Sequence, residues 1–408
     1  MKLDEALERV LQAVAPFPIE AAERVSTFEA RGRVLAADLC SLIDVPPADN
    51  TAMDGYALRA SDVSAAGVSL PVSQRIAAGA VALPLQPGTA ARIFTGAQVP
   101  PGADAVVMQE QCAALDGDAV RIDTVPQAGQ WIRRRGEDVS TGAVVLPRGA
   151  RLTPQALGLA ASVGAATLEV TPRVRVALLS TGDELVMPGE PLKPGAIYNS
   201  NRYTLKTLIE SLGCCCTDLG IVPDRLDATR TALRAAARDH DLIVTSGGVS
   251  VGDEDHIRPA VAAEGQLDLW QMAIKPGKPL AFGQVCRDLP QAAPSHAWFV
   301  GLPGNPVSSF VTFLLLVRPL LLRLQGAANV LPHSLPMRAD FDWPRPDRRR
   351  EFLRVRRNPE GGLDLFANQG SGVLTSAVWA DGLVDNPEGG VIRAGDTVRY
   401  LDFAQLLS

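Results

Sequence analysis

In the stretch LIVTSGGVSVGDEDH (242–256), a run of aliphatic residues ends in Thr-Ser-Gly-Gly, and three acids follow within a few residues. Consecutive glycines let backbone N–H groups approach an anion without a Cβ in the way. Ser246 and Ser250, beside Gly247 and Gly248, add hydroxyl donors. Asp253, Glu254 and Asp255 would repel the same anion. Three arrangements reconcile them: the acids face water, they cap the following helix, or they hold a divalent cation that bridges them to a phosphate-type group.

Three further stretches carry compatible chemistry. In GLPGNPVSS (301–309), Asn305 is a suitable cap and Pro306 suits the first turn of a helix. A helix N-terminus favours anions, and Pro303, Gly304 and Ser308 surround this one. In AIKPGKPLAFG (273–283), Lys275 and Lys278 flank a restricted Pro-Gly loop, so two ammonium groups are available to an oxyanion. The acids Asp183, Glu184, Asp224, Asp253 and Asp255 all fall in loops after strands or before helices. Mg²⁺ takes oxygen ligands and keeps several waters, so one or two carboxylates plus phosphate oxygens suffice for it.

Other chemistries are excluded. No Walker lysine-serine/threonine pair and no dinucleotide fingerprint occurs. The four histidines are not paired at metal-ligand spacing. No Cys-His signature is present.

The elements that must position these loops are legible. VRVALLS (174–180), LIVTSGG, KPLAFG and AWFVG (297–301) read as buried strands, and 199–213 and 226–240 as helices. Alternating strands and helices imply crossovers and a mostly parallel sheet, with the ligand beyond the strands' carboxyl ends. TGDEL, SGGVS and GLPGN all fall there, so three loops converge on one crevice. Upstream, 3–14 has helical spacing, and LTPQALGLAASVG (152–164) is a helix with Thr153 as cap and Gly164 at its end. Short apolar runs between about 60 and 135 indicate a β-rich module, and the chain after about 328 a C-terminal barrel or sandwich.

The 408 residues allow several domains, at roughly 100–200 residues each. A net charge of -6 gives no general attraction for nucleic acid. RPDRRREFLRVRR (345–357) is a local exception, read either as a charged edge strand or as an oxyanion contact. MKLDEALERV lacks a signal-peptide pattern, and FVTFLLLV (310–317) is too short to span a bilayer and reads as a buried helix. A cytoplasmic, membrane-free protein is expected. Six cysteines, three of them consecutive (Cys214–Cys216), make no disulfide framework and are expected to be inert thiols.

In order along the chain, DNTAMDGYA (49–57), RRRGEDV (133–139), LLSTGDEL (178–185), IYNSN (197–201), TSGGVSVGDED (245–255), KPGKP (275–279) and GLPGNPVSS resemble the MoeA family, the molybdopterin molybdenumtransferases. The resemblance implies transfer of molybdenum from molybdate to the dithiolene of adenylylated molybdopterin, with Mg²⁺-assisted release of AMP. It implies four domains: a split domain I (1–48 and 136–172), an inserted β-rich domain II (49–135), a molybdopterin-binding α/β domain III (173–327) and a β-barrel domain IV (328–408). By the same resemblance Ser250, Lys275, Lys278 and Ser308 hold molybdate, with Arg350 and Ser371 as further contacts. Asp224 and Asp255 hold Mg²⁺, and Glu184 and Asp138 match active-site motifs. Asp54 and Thr95 act in the cleft of the other subunit of a homodimer. Molybdopterin adenylyltransferase and apo-molybdoenzymes are the implied protein partners. Three other readings are compatible: an ATP-dependent molybdopterin adenylyltransferase, which shares the domain III fold, a dimeric scaffold, and a nucleotide-processing hydrolase on the same α/β domain.

Overall fold

The computed structural model describes residues 1–16, 21–248, 256–287 and 296–407. Its centre is a six-stranded sheet in the order Cys215–Val222, Arg175–Thr181, Leu242–Ser246, His296–Leu302, Pro279–Cys286, Gly265–Gln271. The first four strands are parallel and the last two antiparallel. Helices cover both faces, which is why the central strands are continuous apolar runs instead of alternating ones. Val176, Leu178, Leu242 and Val244 pack with the helix Ser200–Ser211 on one side. Ala177, Leu179 and Ile243 pack with Leu226–Asp239 and Ile257–Glu264 on the other. In register, Ser180 pairs with Ser246 and Ser246 with Leu302. Three strands therefore end side by side, as the convergence of their loops requires.

The apolar run expected to be a buried helix lies within a continuous helical segment, Pro306–Leu324, with a π turn at Phe313–Val317. Its composition and length would pass for a membrane span, but 89% of that stretch is buried inside the protein. The helix Leu3–Ala13 packs Leu3, Ala6 and Val10 into the same core. This helix thus shares the core of the α/β unit. An apolar stripe shows that a helix must bury a face, not which core receives it.

The remaining residues of the split unit are joined by short pairings. Glu23–Ser26 pairs with Thr167–Val170, and Leu39–Cys40 with Val144–Leu146. The helix Pro154–Ser162 starts as expected, with Thr153 Oγ accepting from Ala156 N–H and Pro154 at the first turn. Between these halves the insertion forms its own six-stranded sheet, from Ala105–Met108 at one edge to Cys112–Leu115 at the other. Asn50–Thr51 pairs with Ile132–Arg133, so the chain enters and leaves the insertion at one place.

The C-terminal unit is a closed barrel of Arg350–Arg357, Gly362–Leu365, Leu335–Ala339, Thr397–Asp402 and Gly382–Asn386. Closure comes from Gly382–Asn386 pairing back onto Arg350–Arg357. The arginine-rich strand is thus paired on both sides and is not an edge strand. Its ladder also takes in Ile274–Lys275 from the α/β unit. That pairing places the lysine loop against the barrel.

Candidate active-site crevice

Beyond the three strand ends lies a crevice of about 1010 Å³. The α/β unit supplies Thr181, Glu184, Asp224, the 246–248 turn and the lysine loop. Pro303, Gly304, Asn305, Pro306 and Ser308 also line it, and the barrel adds Arg349 and the segment 369–372, which includes Ser371.

The glycine turn is sterically required. Gly247 and Gly248 both have positive φ, 87° and 63°. A Cβ at Gly248 would meet Ile257 Cγ1 at 2.7 Å and Thr181 Oγ1 at 2.8 Å. The Gly247 N–H donates to Leu302 O at 3.1 Å, so it is tied to the neighbouring strand and not offered to a ligand. Gly247 therefore supplies the turn and close approach rather than an anion contact.

The two lysines differ. Lys275 Nζ is 3.1 Å from Glu351 Oε1 and 3.4 Å from Asp347 Oδ2. Glu351 is buried and also accepts from Trp343 Nε1 and the Asp347 N–H. Lys275 is thus held by a carboxylate that water cannot reach. Lys278 is exposed and has no ion-pair partner among the described residues. Arg349 joins them in the wall, its guanidinium bidentate on Asp347 at 3.0 and 2.9 Å. The Arg349 hydrogen bonds hold the Asp347 carboxyl well below the usual carboxylate range, with Lys275 adding to the effect.

Arg350, the barrel arginine expected in the site, does not line the crevice. Successive strand residues point to opposite faces. Arg350 instead forms a fork on Asp385 at 2.6 and 2.7 Å and reaches Asp4 at 2.9 Å. The run of three arginines gave no register, so the neighbouring Arg349 was missed. Behind the crevice, fully buried Arg354 donates to Gly370 O and to Ser376 Oγ, pinning the 369–372 segment. Burial lowers the Arg354 guanidinium to about 10.

The helix Pro306–Leu324 presents its N-terminus to the crevice, with a difference from expectation. Asn305 makes no side-chain cap bond, and its side chain is exposed. The Val307 N–H donates to Ser371 O at 3.0 Å, so the barrel satisfies one of the free helix donors. Ser308 is buried beside it in the wall. Asn201 Nδ2 donates to Gly304 O at 2.8 Å and fixes the loop.

Glu184 and Asp224 line the crevice, and Asp183 Oδ1 accepts from the Asp224 N–H at 3.4 Å. Among the described residues no cluster of three metal-ligating side chains forms. Two wall carboxylates nonetheless fit Mg²⁺, which draws its other ligands from water and phosphate. Ser250, Asp253, Glu254 and Asp255 lie outside the described residues. Asp54, Thr95 and Asp138 are described and do not line this crevice. Asp54 Oδ1 accepts from the Thr95 N–H and Oγ1–H, both at 2.7 Å, and these bonds lower its carboxyl below the ordinary range. Asp138 is exposed.

Family models match three segments: the MoeA N-terminal region (domain I and II) at 1–164, a probable molybdopterin binding domain at 177–323, and the MoeA C-terminal region (domain IV) at 336–403. The chain is 41% identical to the molybdopterin molybdenumtransferase of Haemophilus influenzae, over 100% of both chains. It is 33% identical to that of Bacillus subtilis, covering 96% of this chain and 95% of that one. The structure is similar to a molybdopterin biosynthesis MoeA protein of Pyrococcus horikoshii OT3, with a TM-score of 0.82, 30% identity, and coverage of 98% and 99% of the two chains.

Proposed function

The chain belongs to the MoeA family of molybdopterin molybdenumtransferases, transferases of molybdenum cofactor biosynthesis, and we propose that it inserts molybdate-derived molybdenum into adenylylated molybdopterin with release of AMP. The observation that carries this reading is the make-up of one crevice: Lys275, Lys278 and Arg349 share it with the carboxylates Glu184 and Asp224. Molybdate is a tetrahedral dianion. Cations, the Ser308 hydroxyl and a helix N-terminus suit it. Lys275, held by Glu351, supplies a fixed charge, and Lys278 supplies one that is free to follow the ligand. Asp224 and Glu184 would hold hydrated Mg²⁺, together with Asp255 from outside the described residues. Mg²⁺, when bound, neutralises phosphoanhydride oxygens. The chain's own residues orient the two substrates and offset their charge, and no covalent intermediate on the protein is required.

Asp54, Thr95 and Asp138 lie outside the crevice of their own subunit. In this reading they complete the crevice of a second copy in a homodimer. Exposed Phe28, Leu42 and Val144 of the split unit supply apolar surface for such a contact. Molybdopterin adenylyltransferase and apo-molybdoenzymes are the protein partners before and after the reaction, in the cytoplasm. The test is AMP release from adenylylated molybdopterin in Mg²⁺. AMP that appears only when molybdate is added supports insertion. AMP released equally without molybdate, or consumption of ATP with release of pyrophosphate, contradicts it.

A further inference from the structure

The side chain of Asn199 is almost wholly buried, at 2% exposure, yet it stands in the wall of the crevice. It begins the helix Ser200–Ser211, and its Oδ1 accepts from the Arg202 N–H at 3.2 Å. That bond settles which way the amide points. Exchanging its oxygen and nitrogen would set an NH₂ group against an N–H, donor against donor. The Nδ2 atom, with two hydrogens, is therefore turned away from the helix. It is buried and has no hydrogen-bond partner among the described residues. The other amide of the same motif differs: Asn201 Nδ2 is already bonded to Gly304 O.

A buried donor left unsatisfied is costly, and an amide with both hydrogens unused is an expensive one to keep. A second group nearby has the same character. Thr181 ends the strand Arg175–Thr181, lies in the same wall, is 6% exposed, and its Oγ1 also lacks a partner among the described residues. Lys278 and Arg349 line the same crevice, and the acceptor that suits such donors beside these cations is an oxygen of the anion they would hold. We propose that Asn199 Nδ2, supported by Thr181 Oγ1, is a ligand-binding donor for an oxygen of a tetrahedral oxyanion in the crevice. The inference rests on the function proposed above. It assigns the Asn199 amide two separate tasks: its oxygen starts a helix and its nitrogen binds ligand.

That division makes the tasks separable. Ser and Asp cap helices about as well as Asn. Asn199→Ser keeps an acceptor for the Arg202 N–H and removes the amide donors without adding charge. Asn199→Asp keeps the acceptor and replaces the donors with a negative group. The measurement is calorimetric binding of molybdate alone and of AMP alone to the full chain, alongside thermal melting. Both variants are expected to melt close to the unsubstituted protein. Asn199→Ser should bind at least one probe about tenfold more weakly, as for loss of a hydrogen bond to a charged group, and Asn199→Asp more weakly still. A loss confined to molybdate identifies the inorganic oxyanion as the acceptor, and a loss confined to AMP identifies the nucleotide phosphate. Unaltered binding of both probes by Asn199→Ser overturns the inference, even if Asn199→Asp is impaired, because the defect is then charge repulsion alone. Loss of folding in both variants also overturns it. Binding of neither probe by the unsubstituted protein contradicts the proposed function itself and takes this inference with it.

Discussion

Lys275 and Lys278 are three residues apart in one loop and are held differently, so their removal should have different consequences. Lys278→Ala removes an exposed ammonium group with no ion-pair partner among the described residues and should change stability by less than about 0.5 kcal/mol while weakening molybdate binding about tenfold. Lys275→Ala should weaken binding and also cost about 2 kcal/mol of stability, because Glu351 loses its cation while remaining buried. Urea unfolding and calorimetry on the two variants separate these outcomes. Asp347 adds a pH dependence. Its folded carboxyl is depressed by Arg349, so the unfolded chain takes up a proton at a higher pH than the folded one. Its contribution is complete above the unfolded value of about 4 and drains away as pH falls below that. The stability difference between the unsubstituted protein and Asp347→Asn should therefore hold above about pH 5 and shrink steadily as pH falls from about 4 through 3 and below, as read from urea midpoints. Residue type and spacing made the lysines, the glycine turn and Ser308 legible before any coordinates. Arg349 was not legible, because three adjacent arginines do not reveal which one faces inward. Asn199 was not either, because only geometry shows that its Nδ2 is unspent.

At the scale of elements, strand ends decide the site. The runs LIVTS and RVALLST were readable because both faces of those strands are buried. Cys215–Val222 lies at the sheet edge and mixes exposed and half-buried positions, so its sequence carries no clean period. Gly265–Gln271, at the opposite edge, was missed for the same reason of position. The consecutive cysteines fall on and beside that first edge strand. Cys214 is buried, and burial raises its thiol to about 12, as expected for an inert group. Cys215, by contrast, is exposed. The turn after Leu242–Ser246 gives the sharpest element-level prediction. Gly248→Ala imposes a Cβ at positive φ and into contact with Ile257 and Thr181. It should cost about 2 kcal/mol or more in urea unfolding, since the left-handed penalty and the clash add. An Ala variant as stable as the unsubstituted protein would show that the turn relaxes and does not hold the crevice in shape.

On the scale of the whole molecule, the crevice depends on two units of the chain. Ile274–Lys275 joins the barrel ladder, and Ser371 O takes a donor from the start of the long core helix. The barrel is thus part of the crevice wall and cannot be removed without opening it. The insertion, with Asp54 and Thr95, stands apart from its own crevice, which the proposed homodimer explains. Mixing Asp54→Ala with Lys278→Ala subunits should raise activity above that of either variant alone at limiting molybdate, since one crevice of each mixed dimer is then intact. A stable monomer in sedimentation, with full activity, would remove this shared-site account. The most direct test of the central claim follows the metal. The protein is incubated with adenylylated molybdopterin, Mg²⁺ and molybdate, and the product is offered to an apo-molybdoenzyme. The account predicts that enzyme activity appears only when molybdate was present in the first step and in proportion to the AMP released. Release of AMP with no activation of the apo-enzyme would contradict it.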